Sequence, residues 1–462
     1  MNPGMFREYD IRGITGKDMT EDDVVLIGKG VGTYLLKHGS SKITVGRDCR
    51  ITSDLYSEKV IEGLLSTGCD VIDIGVCPTP VLYFSISHLK QEGAVMVTAS
   101  HNPPEYNGFK LSINTDSIHG EELQKILAII NEKAFVQGKG GLSTADVVTP
   151  YRKFVENNIN IPNPLRIGVD AGNGTAGVVA VPIMKNLNCE VHDIYCDMDG
   201  TFPNHEADPT VAKNMKDLIA LVKEKSLDLG IAYDGDGDRM GVVDEKGNLV
   251  FGDQLMIIFA REILSRKPGA TFISEVKCSQ IMYDDIEKHG GKAIMWKTGH
   301  SLIKKKMKEV NAEMAGEMSG HMFFADRYLG FDDATYASCR LLEILSHTGK
   351  KMSELFHTGK KMSELLSDIP KTYTTPEIRV ECADDIKFDV VKKVTDFFRK
   401  HYQVIDIDGA RVLFDGGWGL VRASNTQPAL VLRFEAVSEK RLNEIKNFVE
   451  STLAEITGRS KK

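Results

Sequence analysis

Short apolar runs alternate along the chain with longer segments in which apolar residues recur every three or four positions. The short runs predict buried β-strands, and the longer segments predict amphipathic α-helices. In the first part of the chain the predicted helices are 21–37, 53–66 and 121–133, and the predicted strands are 42–46, 70–74 and 93–97. Alternation of this kind predicts an α/β layer.

The alternation continues after a glycine-rich segment, residues 137–142, which we interpret as a linker. Further predicted elements are the strands 165–169, 227–233 and 240–243, the helix 254–265, and a strand ending at Glu275. A second linker, 367–376, precedes a segment whose alternating strands and two helices predict a small α+β domain. The 462 residues are too many for one core and predict three or four domains.

The charge balance argues against two classes of partner. With 57 basic and 65 acidic side chains the net charge is −8, so we expect no nucleic acid and no membrane partner. The N-terminal segment is charged and glycine-rich, and no stretch reaches about 18 apolar residues, which predicts a cytoplasmic protein. The eight cysteines are scattered without a Cys-x-x-Cys pair, which indicates neither a disulfide framework nor a zinc site.

The first candidate for chemistry follows the predicted strand 93–97. Ser100 would lie at the tip of that strand, and ligands of α/β sheets collect at the carboxyl ends of strands. With His101 beside it and Lys110 ten residues later, the segment offers a nucleophile, a polar neighbour and a proton carrier. The alternative is a loop whose serine and histidine bond only to their own backbone.

The second candidate is Asp-Gly-Asp-Gly-Asp-Arg, residues 234–239, between two predicted apolar strands. Carboxylates at every second position lie on one face of an extended chain, and the glycines let the backbone curl until they converge. A divalent cation would remove their mutual repulsion. Hard oxygen ligands indicate Mg²⁺, held by Asp234, Asp236 and Asp238.

Two other ligand classes fit less well. Glu245 would be position 12 of an EF-hand that starts at Asp234, but Arg239 stands where that loop needs glycine, and the flanks are predicted strands. The glycine-rich turn 171–176 lacks the full Gly-x-Gly-x-x-Gly pattern and its acidic partner. We interpret it as a tight turn, which argues against a dinucleotide cofactor.

The chain is similar over almost its whole length to the α-D-phosphohexomutases, the phosphoglucomutase and phosphomannomutase superfamily. Five segments resemble the family's motifs in the family's order: FREYDIRG (6–13), TASHNP with NGFK (98–110), DGDGDR (234–239), GEMSGH (316–321) and RASNTQP (422–428). The resemblance implies a central cleft surrounded by three similar mixed-sheet α/β domains and a smaller C-terminal α+β domain. The expected domain ranges are 1–150, 151–252, 253–369 and 370–462.

The resemblance also implies a reaction. A phosphorylated Ser100, bridged to Mg²⁺ on the three aspartates, would exchange its phosphate with O1 or O6 of a mannose or glucose phosphate through hexose 1,6-bisphosphate. Lys110 is the expected general base or acid, helped by His101 or His321. The substrate would be a hexose phosphate, and the protein a monomer or homodimer.

The remaining site residues are assigned through the same motifs. Arg12 would pair two oxygens of a phosphate, or alternatively form a surface ion pair with Glu8 or Asp10. The loop 422–428 would be a phosphate cradle, or alternatively a capped turn. The substrate-binding set implied by the resemblance is Tyr9, Arg12, Arg239, Lys277, His300, Glu317, Ser319, Arg422, Ser424, Asn425 and Thr426.

Other functions stay open on the sequence. Phosphoglucosamine mutases typically carry glutamine where Met318 stands, so GEMSGH favours the phosphomannomutase and phosphoglucomutase group. A sugar-phosphate hydrolase that uses the same serine and metal, or a sugar-phosphate binder without activity, is the alternative from a different class.

One segment departs from the family pattern. Residues 347–355 and 357–365 are identical, with Phe356 between them, whereas the family has one copy. We interpret this as a ten-residue duplication. As continuous helix it would turn the following residues about 80° off their apolar face. We therefore predict that Gly349 and Gly359 each interrupt the helix and that the insert is a short helical turn on the surface.

Overall fold

The computed structural model of the chain describes residues 1–347, 361–425 and 427–458. Within these ranges the strands form four separate sheets of seven, five, four and six strands, in chain order. The first three sheets mix parallel and antiparallel pairs, and the fourth is antiparallel throughout. The predicted fold class is confirmed, whereas the boundaries at 150, 252 and 369 stay predictions.

The first unit contains the largest sheet. Its strands are β1 (Ile11–Ile14), β2 (Lys42–Arg47), β3 (Asp70–Val76), β4 (Gly93–Val97), β5 (Tyr106–Ile113), β6 (Asp116–Ser117) and β7 (Leu142–Thr144). Its helices are α1 (Glu21–Lys37), α2 (Ser53–Thr67), α3 (Thr79–His88) and α4 (Glu121–Asn131). The strand order is β1-β5-β4-β2-β3-β7, with β6 beside β5. Thr20 and Asp23 form a capping box that fixes the start of α1.

The glycine-rich segment 137–142 is not a free linker. The N–H of Gly140 donates to the carbonyl of Leu65, and the following strand β7 pairs with β3 as an edge of the first sheet. A Cβ on Gly140 would lie 1.8 Å from the carbonyl oxygen of Cys69. Glycine is therefore required at position 140, because this backbone packs directly against the end of α2 and leaves no space for a side chain. The conformational flexibility of glycine is not the reason for its presence here.

The second and third units follow the same plan. The second has α5 (Val148–Asn158), β8 (Arg166–Asp170), α6 (Gly177–Asn186), β9 (Glu190–Ile194), α7 (Lys216–Lys225), β10 (Leu229–Tyr233), β11 (Met240–Asp244) and β12 (Leu249–Val250). The third has α8 (Gly252–Arg266), β13 (Thr271–Glu275), α9 (Gln280–Lys288), β14 (Lys292–Trp296), α10 (His300–Val310), β15 (Met314–Gly316), β16 (Met322–Phe324) and α11 (Ala334–Ser346). The sheet orders are β12-β11-β10-β8-β9 and β14-β13-β15-β16.

The C-terminal unit has the two predicted helices on an antiparallel sheet. Its elements are β17 (Tyr373–Thr374), β18 (Ile378–Glu381), α12 (Lys387–Phe398), β19 (Gln403–Ile405), β20 (Ala410–Phe414), β21 (Gly417–Ala423), β22 (Ala429–Ala436) and α13 (Glu439–Thr457). None of the helices in the described part of the chain is both long and apolar enough to cross a membrane.

The hydrophobic cores show which units are packed together. One core joins α3 of the first unit to the second and third units, and a second fills the space between the first sheet and α1, α2 and α4. The C-terminal unit has a core of its own, formed by α12, α13 and one face of its sheet. Its position relative to the other units therefore depends on interface contacts.

A buried arginine fixes the loop between β4 and β5. Arg50 donates to the backbone carbonyls of Ser100 at 2.8 Å, Asn102 at 2.6 Å, Pro103 at 2.7 Å and Tyr106 at 3.0 Å. Its own ion pair is with Asp48, which also accepts a bond from Thr98. The loop that carries Ser100 is therefore held from beneath by one guanidinium group.

The duplicated segment is described only in part. Helix α11 ends at Ser346, and the predicted interruptions at Gly349 and Gly359 lie outside the described residues. In the second copy Met362 is 1% exposed within the large core, and the hydroxyl of Ser363 donates to Glu245. This copy is therefore not wholly on the surface, because it supplies a side chain to the core.

Replacing Met362 tests which copy fills the core. Met362→Ala should lower the free energy of unfolding by about 2–5 kcal/mol, the usual cost of removing a buried methionine side chain, measured by urea denaturation. The identical first copy offers Met352→Ala as the matched variant, so that the two copies can be compared by the same measurement. A normal Met362→Ala together with a destabilised double variant would show that the copies are interchangeable.

Replacing Arg50 tests the support of the serine loop. Arg50→Lys should lower the free energy of unfolding by about 2–4 kcal/mol, because one ammonium cannot reach all the carbonyls that the guanidinium bonds. The neighbouring Arg47, whose partners Asp54 and Asp73 are solvent-accessible, is the control, and Arg47→Lys should cost under about 1 kcal/mol. Equal losses for the two variants in urea denaturation would contradict this role of Arg50.

Candidate active site

The structure brings Ser100 to the first aspartate of the acidic loop. Ser100 is 1% exposed, and its hydroxyl donates to Asp234 Oδ2 at 2.7 Å. Gly235 comes so close that a Cβ there would lie 2.5 Å from the carbonyl oxygen of Ser100. The carboxyl ends of strands β4 and β10, which belong to different units, therefore lie next to each other.

The acidic loop is a cluster of three buried carboxylates. Oxygen atoms of Asp234, Asp236 and Asp238 lie within 4.8 Å of one another, and all three side chains are fully buried. Lys110 on β5 reaches this cluster, donating to Asp236 at 2.6 Å and also to Asp238. Asp236 Oδ1 has no hydrogen-bond partner among the described residues, and Asp238 Oδ1 lies 3.2 Å from His321 Nε2. Three buried carboxylates around a shared space, one with an unpartnered oxygen, fit a hard divalent cation.

The pKa values of Asp234 and Asp238 are shifted in opposite directions. Burial and the charges of Asp238 and Asp236 raise the pKa of Asp234 well above its usual range. Burial acts on Asp238 in the same direction, but Lys110 and His321 outweigh it and hold the Asp238 pKa well below its usual range. A cation held by these groups would favour the ionised form of all three.

The calcium alternative does not fit the structure. The acidic loop joins two antiparallel strands, β10 and β11, where an EF-hand would have helices. Glu245 accepts hydrogen bonds from the hydroxyl and N–H of Ser363. The glycine-rich turn 171–176 has a supporting role, because Thr175 N–H donates to the carbonyl of Gly235 at 3.0 Å.

Two histidines near Ser100 differ in protonation. His101 Nδ1 lies 3.0 Å from Ser100 Oγ, and burial, with Arg239 and Arg12 nearby, holds the His101 pKa well below its usual range. Burial also acts against the charged form of His321, but Asp238 at 3.2 Å and Glu317 at 2.7 Å raise its pKa to about 9. His101 is therefore neutral, whereas His321 carries a proton.

The predicted sugar loop lies directly beyond His321. Glu317 accepts from the N–H of Gly299 at 2.8 Å, and burial acts against its charge, but the bond from His321 lowers the Glu317 pKa to about 2. Ser319 Oγ lies 3.4 Å from Glu317 and 3.3 Å from His321 Nδ1. Arg239 Nε lies 3.2 Å from His321 Nε2, the nitrogen that faces Asp238. These groups form one connected polar wall.

His300 stands beside this wall at the start of α10. Its ring centroid lies 5.7 Å from that of His321, and its Nδ1 lies 3.7 Å from Asp332 Oδ2 without a hydrogen bond. Burial and the charges of Lys304 and Lys110 hold its pKa well below the usual range. His300 is therefore a neutral ring with one nitrogen unpartnered among the described residues.

Arg12 forms the ion pair with Asp10 that its second alternative expects. Its guanidinium pairs with Asp10 at 2.7 Å, and it also donates to Asn102 and to the carbonyl of Ala99 in the serine loop. Arg12 is thus an ion-paired arginine that lies against the loop of Ser100.

Tyr9 connects three units. Its hydroxyl donates to the carbonyl of Thr298 at 2.7 Å and accepts from Asn425 at 2.6 Å. Gly299 is required beside it, because a Cβ there would lie 2.5 Å from the Tyr9 ring. The N-terminal motif, the third unit and the C-terminal loop therefore meet at this side chain.

The C-terminal loop and Lys277 make the basic end of the cleft. Arg422 is buried and pairs with Asp408 at 3.0 Å, while Lys277 donates to Glu377 at 2.7 Å. Ser424 Oγ accepts from the N–H of Gln427 at 3.2 Å, as the capped-turn alternative expects. Thr426 lies outside the described residues.

Sequence reasoning missed several residues of the site. Thr79 at the start of α3 donates to Asp236 at 2.6 Å, and Lys304 donates to Asp332 at 3.0 Å. Asp408 and Glu377 hold the two cations of the basic end. Pro78 before Thr79 is a helix-start signal that could have located that residue. Lys304, Asp408 and Glu377 each contact a residue that is distant in sequence, and no local pattern identifies them.

Comparisons with known proteins match the same family along almost the whole chain. Sequence models of the phosphoglucomutase/phosphomannomutase α/β/α domains I, II and III match residues 3–137, 149–247 and 251–373, and that of the C-terminal domain matches 377–451. A phosphomannomutase/phosphoglucomutase from Pseudomonas putida is 43% identical over 98% of this chain and 96% of the relative. A phosphoglucomutase from Neisseria meningitidis serogroup A is 41% identical over 96% and 95%.

The fold agrees with these matches. A crystal structure of a phosphoglucomutase/phosphomannomutase family protein from Burkholderia thailandensis superposes with a TM-score of 0.91 at 37% identity. The superposition covers 100% of this chain and 99% of that one. The matches extend through all four units and through each loop described above. The chain therefore belongs to the phosphoglucomutase/phosphomannomutase family.

Proposed function

We propose that the protein transfers a phosphoryl group reversibly between O1 and O6 of a hexose phosphate, mannose or glucose, through phosphorylated Ser100 and a hexose 1,6-bisphosphate. The observation that carries this proposal is the buried bond from the Ser100 hydroxyl to Asp234 within the three-carboxylate cluster. A nucleophile beside a cation site is what phosphoryl transfer requires. The relatives' names agree with this activity.

The first half-reaction would use the charged donors of the site. A substrate hydroxyl attacks the phosphorus of phosphoserine 100, and its proton passes to neutral His101. The bond from phosphorus to Ser100 Oγ breaks, and the serine oxygen takes a proton from Lys110. Burial acts against the ammonium of Lys110, but Asp236 and Asp238 raise its pKa well above the usual range, so it is a proton donor here. Mg²⁺, when bound by the three aspartates and Ser100, would neutralise the charge on the transferring oxygens.

The second half-reaction would reverse these roles. After the bisphosphate turns over in the cleft, Ser100 Oγ attacks the other phosphate, and its proton passes back to Lys110. His101 then returns its proton to the sugar oxygen that leaves, and protonated His321 would donate a hydrogen bond to that oxygen. Glu317 and Ser319 would bind the sugar hydroxyls, and His300, Arg239, Arg12 and Tyr9 would line the same space.

The basic end would anchor the phosphate that does not react. Lys277, Arg422, Ser424, Asn425 and Thr426 are the proposed ligands. Because the C-terminal unit has its own core, this grip would close it over the cleft and exclude water. We propose that the protein works in the cytoplasm as a monomer or homodimer.

A coupled assay separates the candidate activities. Mannose 1-phosphate and glucose 1-phosphate should be converted to the 6-phosphates in the presence of Mg²⁺ and hexose 1,6-bisphosphate. Preferred turnover of glucosamine 1-phosphate would instead identify a phosphoglucosamine mutase. Release of inorganic phosphate would identify a hydrolase, and binding without turnover would identify a binder.

Removing the serine hydroxyl tests the nucleophile. Ser100→Ala should reduce kcat roughly 10⁴-fold or more, because the covalent intermediate cannot form, with an unfolding temperature close to that of the parent. Ser112→Ala, on β5 outside the cluster, is the matched control and should retain kcat within about twofold. An active Ser100→Ala variant would remove Ser100 from the mechanism.

Removing the buried arginine tests the phosphate anchor. Arg422→Ala should raise KM for glucose 1-phosphate about 10- to 100-fold, the effect of losing a charge-assisted hydrogen bond, while Ser100 can still be phosphorylated. Arg441 on α13 is the control, because it pairs at the surface with Glu444, and Arg441→Ala should leave KM unchanged. Unaltered KM and kcat in Arg422→Ala would refute the anchor.

A further inference from the structure

The positive groups at the basic end of the cleft already face carboxylates before any ligand binds. Its positive groups are Lys277, Arg422 and Arg433, and its negative groups are Glu275, Glu377 and Asp408. Arg433 lies opposite Glu377 across the ladder in which Ile378 pairs with Leu432, close enough to lower the Glu377 pKa. Lys277 and Arg422 thus each face a carboxylate already, so a phosphate dianion must compete with that carboxylate for them.

Two of the three carboxylates are fixed in place. Glu275 is fully buried and accepts from the N–H of Lys277 at 2.8 Å and the hydroxyl of Thr298 at 3.1 Å. Asp408 accepts from the N–H of Thr298 at 3.0 Å as well as from Arg422. Moving either group would leave buried donors unsatisfied, which is costly.

Glu377 is held differently. Its side chain is 32% exposed, and its short contact is the bond to Lys277 at 2.7 Å. Its second carboxylate oxygen lies 3.9 Å from Arg379, which is well exposed on the outer side. The Glu377 carboxylate thus has a buried partner on one side and a solvent-exposed partner on the other.

We propose that Glu377 occupies the position of the phosphate beside Lys277 in the ligand-free protein, and that an incoming phosphate displaces its carboxylate towards Arg379. The inference rests on the proposed function, in which Lys277 and Arg422 bind the phosphate that does not react. With Glu377 displaced, Lys277 keeps only its longer ion pair with Glu275 at 3.6 Å, and the position 2.7 Å from its ammonium is open to a phosphate oxygen. Lysine and arginine are suited to a phosphate that replaces a carboxylate.

The displacement also has a consequence for closure. The pair Lys277–Glu377 joins the third unit to the start of β18, the first long strand of the C-terminal unit. A phosphate that bonds both Lys277 and Arg422 would replace this direct link by a bridged one. Glu377 is thus a positioning residue. The phosphate must compete with its carboxylate for Lys277 before the cleft can close.

The test measures phosphate binding when the carboxylate is neutralised. Glu377→Gln keeps the shape of the side chain, and it should lower the Kd for inorganic phosphate about tenfold, measured by isothermal titration calorimetry. Glu381→Gln, on the same strand at an exposed position, is the matched control and should leave the Kd unchanged. A titration of Arg422→Ala, which should remove the binding, identifies the measured site.

Steady-state kinetics gives a second readout. Glu377→Gln should lower KM for glucose 1-phosphate without raising kcat, because it strengthens binding in the ground state and the transition state alike. Unchanged or weaker phosphate binding in Glu377→Gln would overturn the inference, and with an active parent enzyme the proposed function would stand. Tighter phosphate binding in a protein without mutase activity would refute the function and leave the displacement standing.

Discussion

The structure depends on keeping three carboxylates and one serine hydroxyl together without water. Buried like charges repel strongly, and they persist only where cations and hydrogen bonds compensate them. Lys110 supplies one such cation from β5, and Thr79 supplies a donor from α3. Because these groups come from two units, the acidic cluster can form only when the sheets are docked. The acidic cluster and the docking of the units therefore depend on each other.

The contacts between units follow from the same balance of charges. The first three units share an apolar core on one side and meet at polar groups on the cleft side. The C-terminal unit has its own core, and it contacts the others through the polar groups Asn425, Asp408 and Glu377. It also shares a small apolar cluster with the third unit, in which Val276 packs with Trp418 and Leu420. This cluster is much smaller than the core that joins the first three units, so relative motion is easier for the fourth unit than for the others.

The sequence predicts those features that depend on local pattern. Helix α1 and strand β4 have the predicted bounds because one is amphipathic and the other uniformly apolar between polar neighbours. Helix α3 was missed because it is buried on nearly all sides and has no polar face to give it a period. The serine and aspartate loops could be identified by their motifs. Asp408 and Glu377, the partners of Arg422 and Lys277, could not, because each contacts a residue more than ten positions away.

The backbone at Ser100 restricts which hydroxyl residue can occupy this position. Its φ is +52°, in the left-handed region that branched side chains avoid, and Arg50 holds the surrounding carbonyls in that conformation. A threonine hydroxyl is an equally good phosphate acceptor by chemistry alone, but its second Cβ substituent would be strained here. Steric restriction of the main chain, and not nucleophilicity, therefore excludes threonine from this position.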